Sequence, residues 1–284
     1  MTDNAKIAQL NLVFALAALS QDVSDAICSA SSRFSNSWQS QQSIELASIE
    51  KQWQPALAAI QTEQSMSTLQ CLVLAQISCI QRGDYNRLMT YKALAVSLAT
   101  RLGLYQSQKR FALGTLTCET RKKVFWSLYA VDWYVDRAFV FAIFVLTLSS
   151  FSAVLLGLPR QIKDDDVHCE LPVDADDEYV TERGFQPLLP GESTRLSSAL
   201  ALFRASRILS KVLEEVYPAQ TSYELSLQKL SALAEELDQW QASLAPHLKL
   251  PFAQDKPSVG TVSSRSPLLV SISMGNSWLC LHLF

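Results

Sequence analysis

Apolar side chains recur at Leu46, Ile49, Trp53, Leu57 and Ile60, three and four apart, which predicts a helix over 45–60 that buries one stripe. Pro55 falls inside this run and is expected to kink the helix or divide it in two. Ser67 followed by Gln70 reads as a capping box opening a second helix through Leu69, Leu72, Val73, Cys79 and Ile80, with Gly83 as its left-handed cap. Leu88, Tyr91, Ala95, Leu98 and Leu102 then repeat at three, four, three and four, and Gly103 ends the run. The connection at Gly83 and Asp84 is so short that these two helices should form an antiparallel hairpin. A further helix is predicted over 117–137, with Val124, Leu128, Val131 and Val135 on one side. Near the start, Ile7, Leu10, Phe14 and Ala17 fit one helical face, and Asp3 offsets Lys6, which weakens the basic region a signal peptide needs.

The periodicity breaks over 159–190, which holds four prolines and no helical stripe, and predicts a long connection laid over the helices. Helical spacing returns over 193–217 and 222–244, each stopped by a proline, Pro218 and Pro246, while 251–267 reads as a linker rich in Ser, Pro and Gly. With no convincing strand alternation and no repeated signature, the predicted fold is all-α: an irregular multi-helix domain built from antiparallel helix pairs. Residues 138–158 carry no charge and could cross a bilayer, although Arg137 and Arg160 give no asymmetry to orient them. A buried helix and a foreign insert are the alternatives.

Composition narrows the function classes. At 284 residues, with 49% hydrophobic and 18% charged residues, the chain can bury a sizeable core and is not disordered over most of its length. The 24 basic and 27 acidic side chains argue against a whole-chain electrostatic grip on nucleic acid. Their distribution says more: nine basic residues face two acidic ones between positions 82 and 123, whereas 164–182 holds nine acids and no Lys or Arg. Two such fields in one domain should find each other. The other use of Arg121, Lys122 and Lys123, with Lys109 and Arg110, is contact with nucleic acid or a nuclear address.

Six widely spaced cysteines without a C-x-x-C pair indicate free thiols in a reducing compartment, and His168 beside Cys169 is the sole zinc candidate. His168, His247 and His282 lie in no recognisable nucleophile motif, and no glycine-rich phosphate loop is present. Asp165 and Asp166 with Glu170 resemble the magnesium-holding motif of class I terpenoid synthases, against a solvated acidic loop, and no second metal motif accompanies them. Asp174, Asp176 and Glu178 fail as a calcium loop because Tyr179 and Phe185 occupy the positions of the turn glycine and closing glutamate. Phe125, Trp126, Tyr129, Trp133 and Tyr134 are spaced as core, and Trp126, Tyr129 and Trp133 could alternatively line an effector pocket.

The run Glu119-Thr-Arg121-Lys-Lys123-Val-Phe125-Trp126-Ser-Leu-Tyr129-Ala-Val-Asp132, followed by Leu156-Gly157-Leu158-Pro159, Ile162, Asp164 to Asp166 and Leu171-Pro172, resembles the fungal-specific transcription factor domain. The hairpin before it, ending in Arg101-Leu-Gly103-Leu104, fits the same family, the regulatory middle region of zinc-cluster activators of the xylanolytic type. The resemblance covers 68–173, with weaker agreement over 196–244. It implies a nuclear, non-catalytic helical domain over 1–249 that regulates RNA polymerase II genes through co-regulators or a second copy, with a small effector as a further option. It also implies that DNA is contacted through a separate amino-terminal cluster of six cysteines on two zinc ions, for which the cysteines here have the wrong spacing, so no cofactor is expected in this chain and no membrane. Gly103, Arg121, Phe125, Trp126, Asp132, Gly157, Pro159, Asp165 and Pro172 are the signature positions, Trp126 as a core anchor and Asp132 as a capped or paired carboxylate. Against the family pattern, 138–150 are extra and read as an insert, and 250–284 as linker and truncated or atypical tail. The alternatives are a terpenoid-synthase-like magnesium enzyme and a protein anchored in a membrane through 138–158.

Overall fold

A computed structural model describes residues 3–29, 37–82, 84–147, 161–187, 194–216, 226–249, 252–253 and 256–257, and the account below is confined to them. Among these residues the fold is helical: α1 (Asp3–Ser29), α2 (Ser37–Ile60), α3 (Met66–Arg82), α4 (Tyr85–Arg101), α5 (Thr115–Thr147), α6 (Leu196–Val216) and α7 (Leu227–Ser243). Two antiparallel pairs of two-residue strands, β1 (Val180–Thr181) with β2 (Gly184–Phe185) and β3 (Phe252–Ala253) with β4 (Lys256–Pro257), are all the sheet they add. The chain divides into two compact units, one of residues 1–107 and 134–153, the other of 108–133 and 154–284.

In the first unit α3 is the central helix, packed against α1 and α4. Small side chains let its neighbours approach: Ser67, Thr68, Cys71, Ala75 and Ser78 are all buried, and the Cys71 thiol donates to the Ala5 carbonyl at 3.6 Å. The helix starts two residues earlier than its sequence signal. Ser65, not Ser67, caps it, its Oγ accepting from the Thr68 amide at 3.1 Å, while Gln70 accepts from Gln9 of α1. α2 runs unbroken to Ile60, so Pro55 does not divide it; the proline sits on the exposed side, where water can take the carbonyl it leaves unbonded, while Trp53, Ala56 and Leu57 bury the opposite side. The α3–α4 pair forms the expected hairpin, with Asp84 capping α4 through the Arg87 amide at 3.2 Å. Gly83 lies outside the described residues.

α4 ends as the glycine signal predicts. Gly103 has φ 68°, the Leu104 amide donates to Ala99 and the Gly103 amide to Thr100, both at 3.0 Å, which is the Schellman arrangement that only glycine adopts without strain. Along α1, however, the face carrying Ile7, Leu10 and Phe14 is the exposed one, and Ala5, Ala8, Leu12 and Ala15 pack inward instead.

The second unit is built on the first part of α5. From Val124 to Ala130 every side chain but Ser127 is buried, so the single stripe read from Val124 and Leu128 is too narrow a description. The helix also continues past the predicted end at 137, through Thr147. Among the described residues no helix is long and apolar enough to cross a membrane. α6 and α7 pack as a pair around Ala201, Ala205, Ile208, Leu237, Trp240 and Leu248, with the Trp240 indole donating to the Ala201 carbonyl at 2.9 Å. Residues 148–160 and 258–284 lie outside the described residues, which removes most of the proposed tail and part of the 138–150 segment from structural account.

Candidate functional site

The signature run lies on the first turns of α5 and is covered by the acidic segment 161–187. That segment is held by side chains whose types dictate the contacts. Trp126 is fully buried, and its indole N–H, which cannot be left unpaired there, donates to the Glu170 carbonyl at 2.9 Å. The Glu170 carboxylate in turn accepts the Gln108 amide at 3.2 Å. Three residues on, Glu119 reaches the segment from the helix: one oxygen accepts the Val173 amide at 2.9 Å, and the other takes the Lys122 ammonium at 2.7 Å. At the segment's beginning the Tyr129 hydroxyl donates to the Asp164 carboxylate, whose second oxygen accepts from Ser210 of α6 at 3.1 Å.

The aromatic side chains around Trp126 are close-packed. Its ring centroid lies 5.2 Å from Tyr129 and 5.7 Å from Phe125, both edge-on, and 6.1 Å from Phe203 at an interplanar angle of 30°. The Arg207 guanidinium covers it at 5.8 Å. Trp126 and Tyr129 are therefore placed within packed core; the Trp133 side chain lies outside the described residues. An open depression of about 280 Å³ lies elsewhere in this unit, lined by Lys211, Glu215, Lys229, Ala232 and Leu233.

Each cation of the basic run has an internal partner. Arg121 donates to the Gln108 side chain at 2.7 Å and lies over the Phe111 ring, Lys122 is buried on Glu119, and Lys123 pairs with Asp177 at 2.6 Å. Lys109 and Arg110 remain exposed. Of the two opposed charge fields, Lys123 and Asp177 form an ion pair, while Arg82 and Arg87 pair with Glu50 instead. The acids serve several other ends: Asp174 accepts from Thr194 and Asp176 from the Arg195 amide at 2.8 Å, fixing the approach to α6. Asp165 and Asp166 stand exposed on a 3₁₀ turn, and among the described residues no group of three or more His, Cys, Asp or Glu side chains is placed to hold a metal ion. Asp132 is buried, as are Phe125 and Pro172, whereas Gly157 and Pro159 lie outside the described residues.

Ionisation follows the packing. Burial pulls the Lys122 ammonium down, but the hydrogen bond and charge of Glu119 outweigh it and hold the group above the usual lysine value. Burial, reinforced by the Glu170 charge, pushes the Cys169 thiol up to about 12. Burial likewise raises Cys71 to about 11 and Cys79 to about 12. These are the properties of inert core thiols.

Sequence reasoning named the helix side of this clasp, and it singled out Asp164 within the family run and Glu170 within a magnesium motif, but missed Gln108, the anchoring roles of Asp164 and Glu170, and the acceptor role of Glu119. The excess of acids over 164–182 marked the segment as a partner for the basic helix; which carboxylate would bond which group was not in the pattern.

Fold and site together define a helical domain in which Phe125, Trp126, Asp132 and Pro172 are buried. The sequence model of the fungal specific transcription factor domain matches residues 1–135 and 140–242, and the chain belongs to that family. The transcriptional activator protein acu-15 of Neurospora crassa is 54% identical over 267 residues, which are 94% of this chain and 25% of that protein. Activator of stress genes 1 of Saccharomyces cerevisiae is 26% identical over 204 residues, 70% of this chain and 19% of its own length. An ABC-transporter-regulating transcription factor of Aspergillus fumigatus is 27% identical over 183 residues, 63% of this chain and 17% of that protein. The chain thus spans a quarter or less of the length of these relatives. No solved structure matches it.

Proposed function

We propose that this chain is the regulatory domain of a fungal transcription regulator, acting in the nucleus through contacts with other proteins, while DNA is read by a part of the protein outside this sequence. The observation that carries the reading is the match of one family of transcription factor domains to both units of the chain, together with relatives named as activators and regulators. The buried signature supports a non-catalytic role. Its Lys122–Glu119 and Lys123–Asp177 pairs and the Trp126 indole bond hold the domain together, which suits a structural role. Trp126 and Tyr129 belong to that shape in this reading, and no effector is required for them.

The test is a tethering experiment. The chain, fused to an unrelated sequence-specific DNA-binding domain and expressed in a fungal host, should change the output of a reporter carrying the matching site at least about threefold in either direction, about 0.7 kcal/mol on the scale of a tenfold change per 1.4. A Trp126→Ala fusion should lose the effect. Output equal to that of the DNA-binding domain alone, from a fusion shown to be folded and nuclear, would refute the reading.

A further inference from the structure

Among the described residues of the second unit five large apolar side chains stand exposed, and four of them lie about the start of α5. Leu113 and Leu116, 40% and 37% exposed, flank its first residue, Thr115. Val173, 43% exposed, is held beside the next turn because its amide donates to Glu119 at 2.9 Å. Phe185, 46% exposed, is on β2 of the hairpin whose turn residue Glu182 accepts the Thr115 amide at 3.4 Å. Single exposed leucines are ordinary, but four bulky apolar side chains left in water at one place mark a contact surface.

The same place is basic. Residues 108–118 hold Lys109 and Arg110 and no acid, and Arg183 follows Glu182 in the hairpin turn. All three are exposed, and no ion pair or hydrogen bond engages their side chains among the described residues, whereas Arg121, Lys122 and Lys123 are each occupied. Nearby carboxylates are held elsewhere. Glu119 is taken by Lys122 and the Val173 amide, Asp177 by Lys123, and Glu182 lies so close against Gly114 that a β-carbon there would collide with it.

Free cations among Leu, Val and Phe side chains match a segment that carries carboxylates between bulky apolar residues. A nucleic-acid backbone would use the cations and leave the apolar side chains unmatched, and a purely apolar partner would bury the cations without a counter-charge. We infer that the surface about the start of α5 docks an acidic peptide segment of another protein, its carboxylates on Lys109, Arg110 and Arg183 and its apolar side chains on Leu113, Leu116, Val173 and Phe185. This rests on the reading that the domain acts through protein contacts, and adds to it the surface and the chemistry of the partner. Exposed ion pairs and a patch of roughly a few hundred Å² give a reversible contact, with a dissociation constant on the order of 10 μM or weaker.

Selection of random peptides of about 12 residues on the immobilised intact chain tests this without presuming a sequence. The enriched peptides should be net negative and richer in Leu, Phe and Trp than the unselected pool. A fluorescent synthetic copy of the most enriched peptide, followed by anisotropy, should bind at least about tenfold more weakly to a Lys109→Glu, Arg110→Glu chain and to a Leu113→Ser, Leu116→Ser chain, each matching the wild type in circular dichroism and melting temperature. Its affinity should also fall at least about threefold between roughly 50 and 300 mM salt. Tethering separates the two claims: a wild-type fusion that still changes reporter output while no acidic peptide is enriched sinks the docking surface alone. Enrichment of basic or neutral peptides, unaltered binding by either substituted chain, or binding of a DNA duplex or anionic vesicles tighter than that of the peptide and lost in the same chains would overturn the assignment.

Discussion

At the scale of single residues the account rests on the pair Glu119 and Lys122, whose side chains are 5% and 8% exposed. Burying two charges costs more than their attraction returns unless every lone pair is used, and the Val173 amide uses one that Lys122 leaves over. Glu119→Gln keeps an acceptor for that amide but strands the ammonium, and should lower unfolding free energy by about 3 kcal/mol in urea denaturation. Adding Lys122→Met to it should recover most of the loss. Trp126→Ala should cost about 3 to 5 kcal/mol by the same measurement. Alkaline pH provides an independent check. The raised pKa values of Cys71, Cys79, Cys169 and Lys122 mean that the unfolded chain loses these protons first, so their contribution is intact below about pH 8.5 and falls as pH rises above it, the thiols first and Lys122 beyond about 10.4. A melting temperature that climbs from pH 8.5 to 10.5 would contradict the placement of these groups. Trp126 was legible as a core anchor because a large aromatic at helical spacing has few other places to go. The Glu119 role was not, since a carboxylate beside three cations reads equally well as a surface pair.

At the scale of elements, the signals that held are those fixed by local backbone chemistry. Gly103 was readable because a left-handed residue after an apolar run has one efficient solution; Gly103→Ala should cost about 1 to 2 kcal/mol. The cap of α3 was misplaced because Ser65, Ser67 and Thr68 all qualify by type, and only the path from Ile60, where the Thr68 hydroxyl reaches the Ile60 carbonyl at 3.4 Å, selects Ser65. Ser65→Ala should therefore destabilise by about 1 kcal/mol, while the predicted cap Ser67, inside the first turn, contributes by packing. Pro55 was expected to kink α2 or divide it; the helix is undivided, and the burial of Trp53, Ala56 and Leu57 outweighs the cost of the proline. The helix holds at a cost, and Pro55→Ala should raise stability by up to about 3 kcal/mol, read as a shift in denaturant midpoint at constant slope. The outer face of α1 shows the limit of periodicity. Two stripes exist on that helix, the stronger one by hydrophobicity faces solvent, and alanines win the interior because close approach to α3 favours small side chains.

At the scale of the whole molecule, helix content and the succession of motifs gave the class, and the broken periodicity over 159–190 suggested a connection laid over the helices without saying which helix it would cover. What composition could not supply is the division of labour inside that contact. Of the nine acids, Asp164 and Glu170 anchor to α5 and its approach, Asp174 and Asp176 fix the approach to α6, and Asp177 meets Lys123 at the surface. A solvated acidic loop and a fastened strap have the same sequence signature; burial of the indole beneath is what separates them. The claim on which the rest depends is that this segment is locked to the signature helix, and amide hydrogen exchange of the intact chain at pH 7 measures it directly. The Val173 and Gln108 amides, bonded to Glu119 and Glu170, should exchange at least about a hundredfold slower than in an unfolded peptide. Exchange of both at the unfolded rate would show the segment to be detached and would contradict the account.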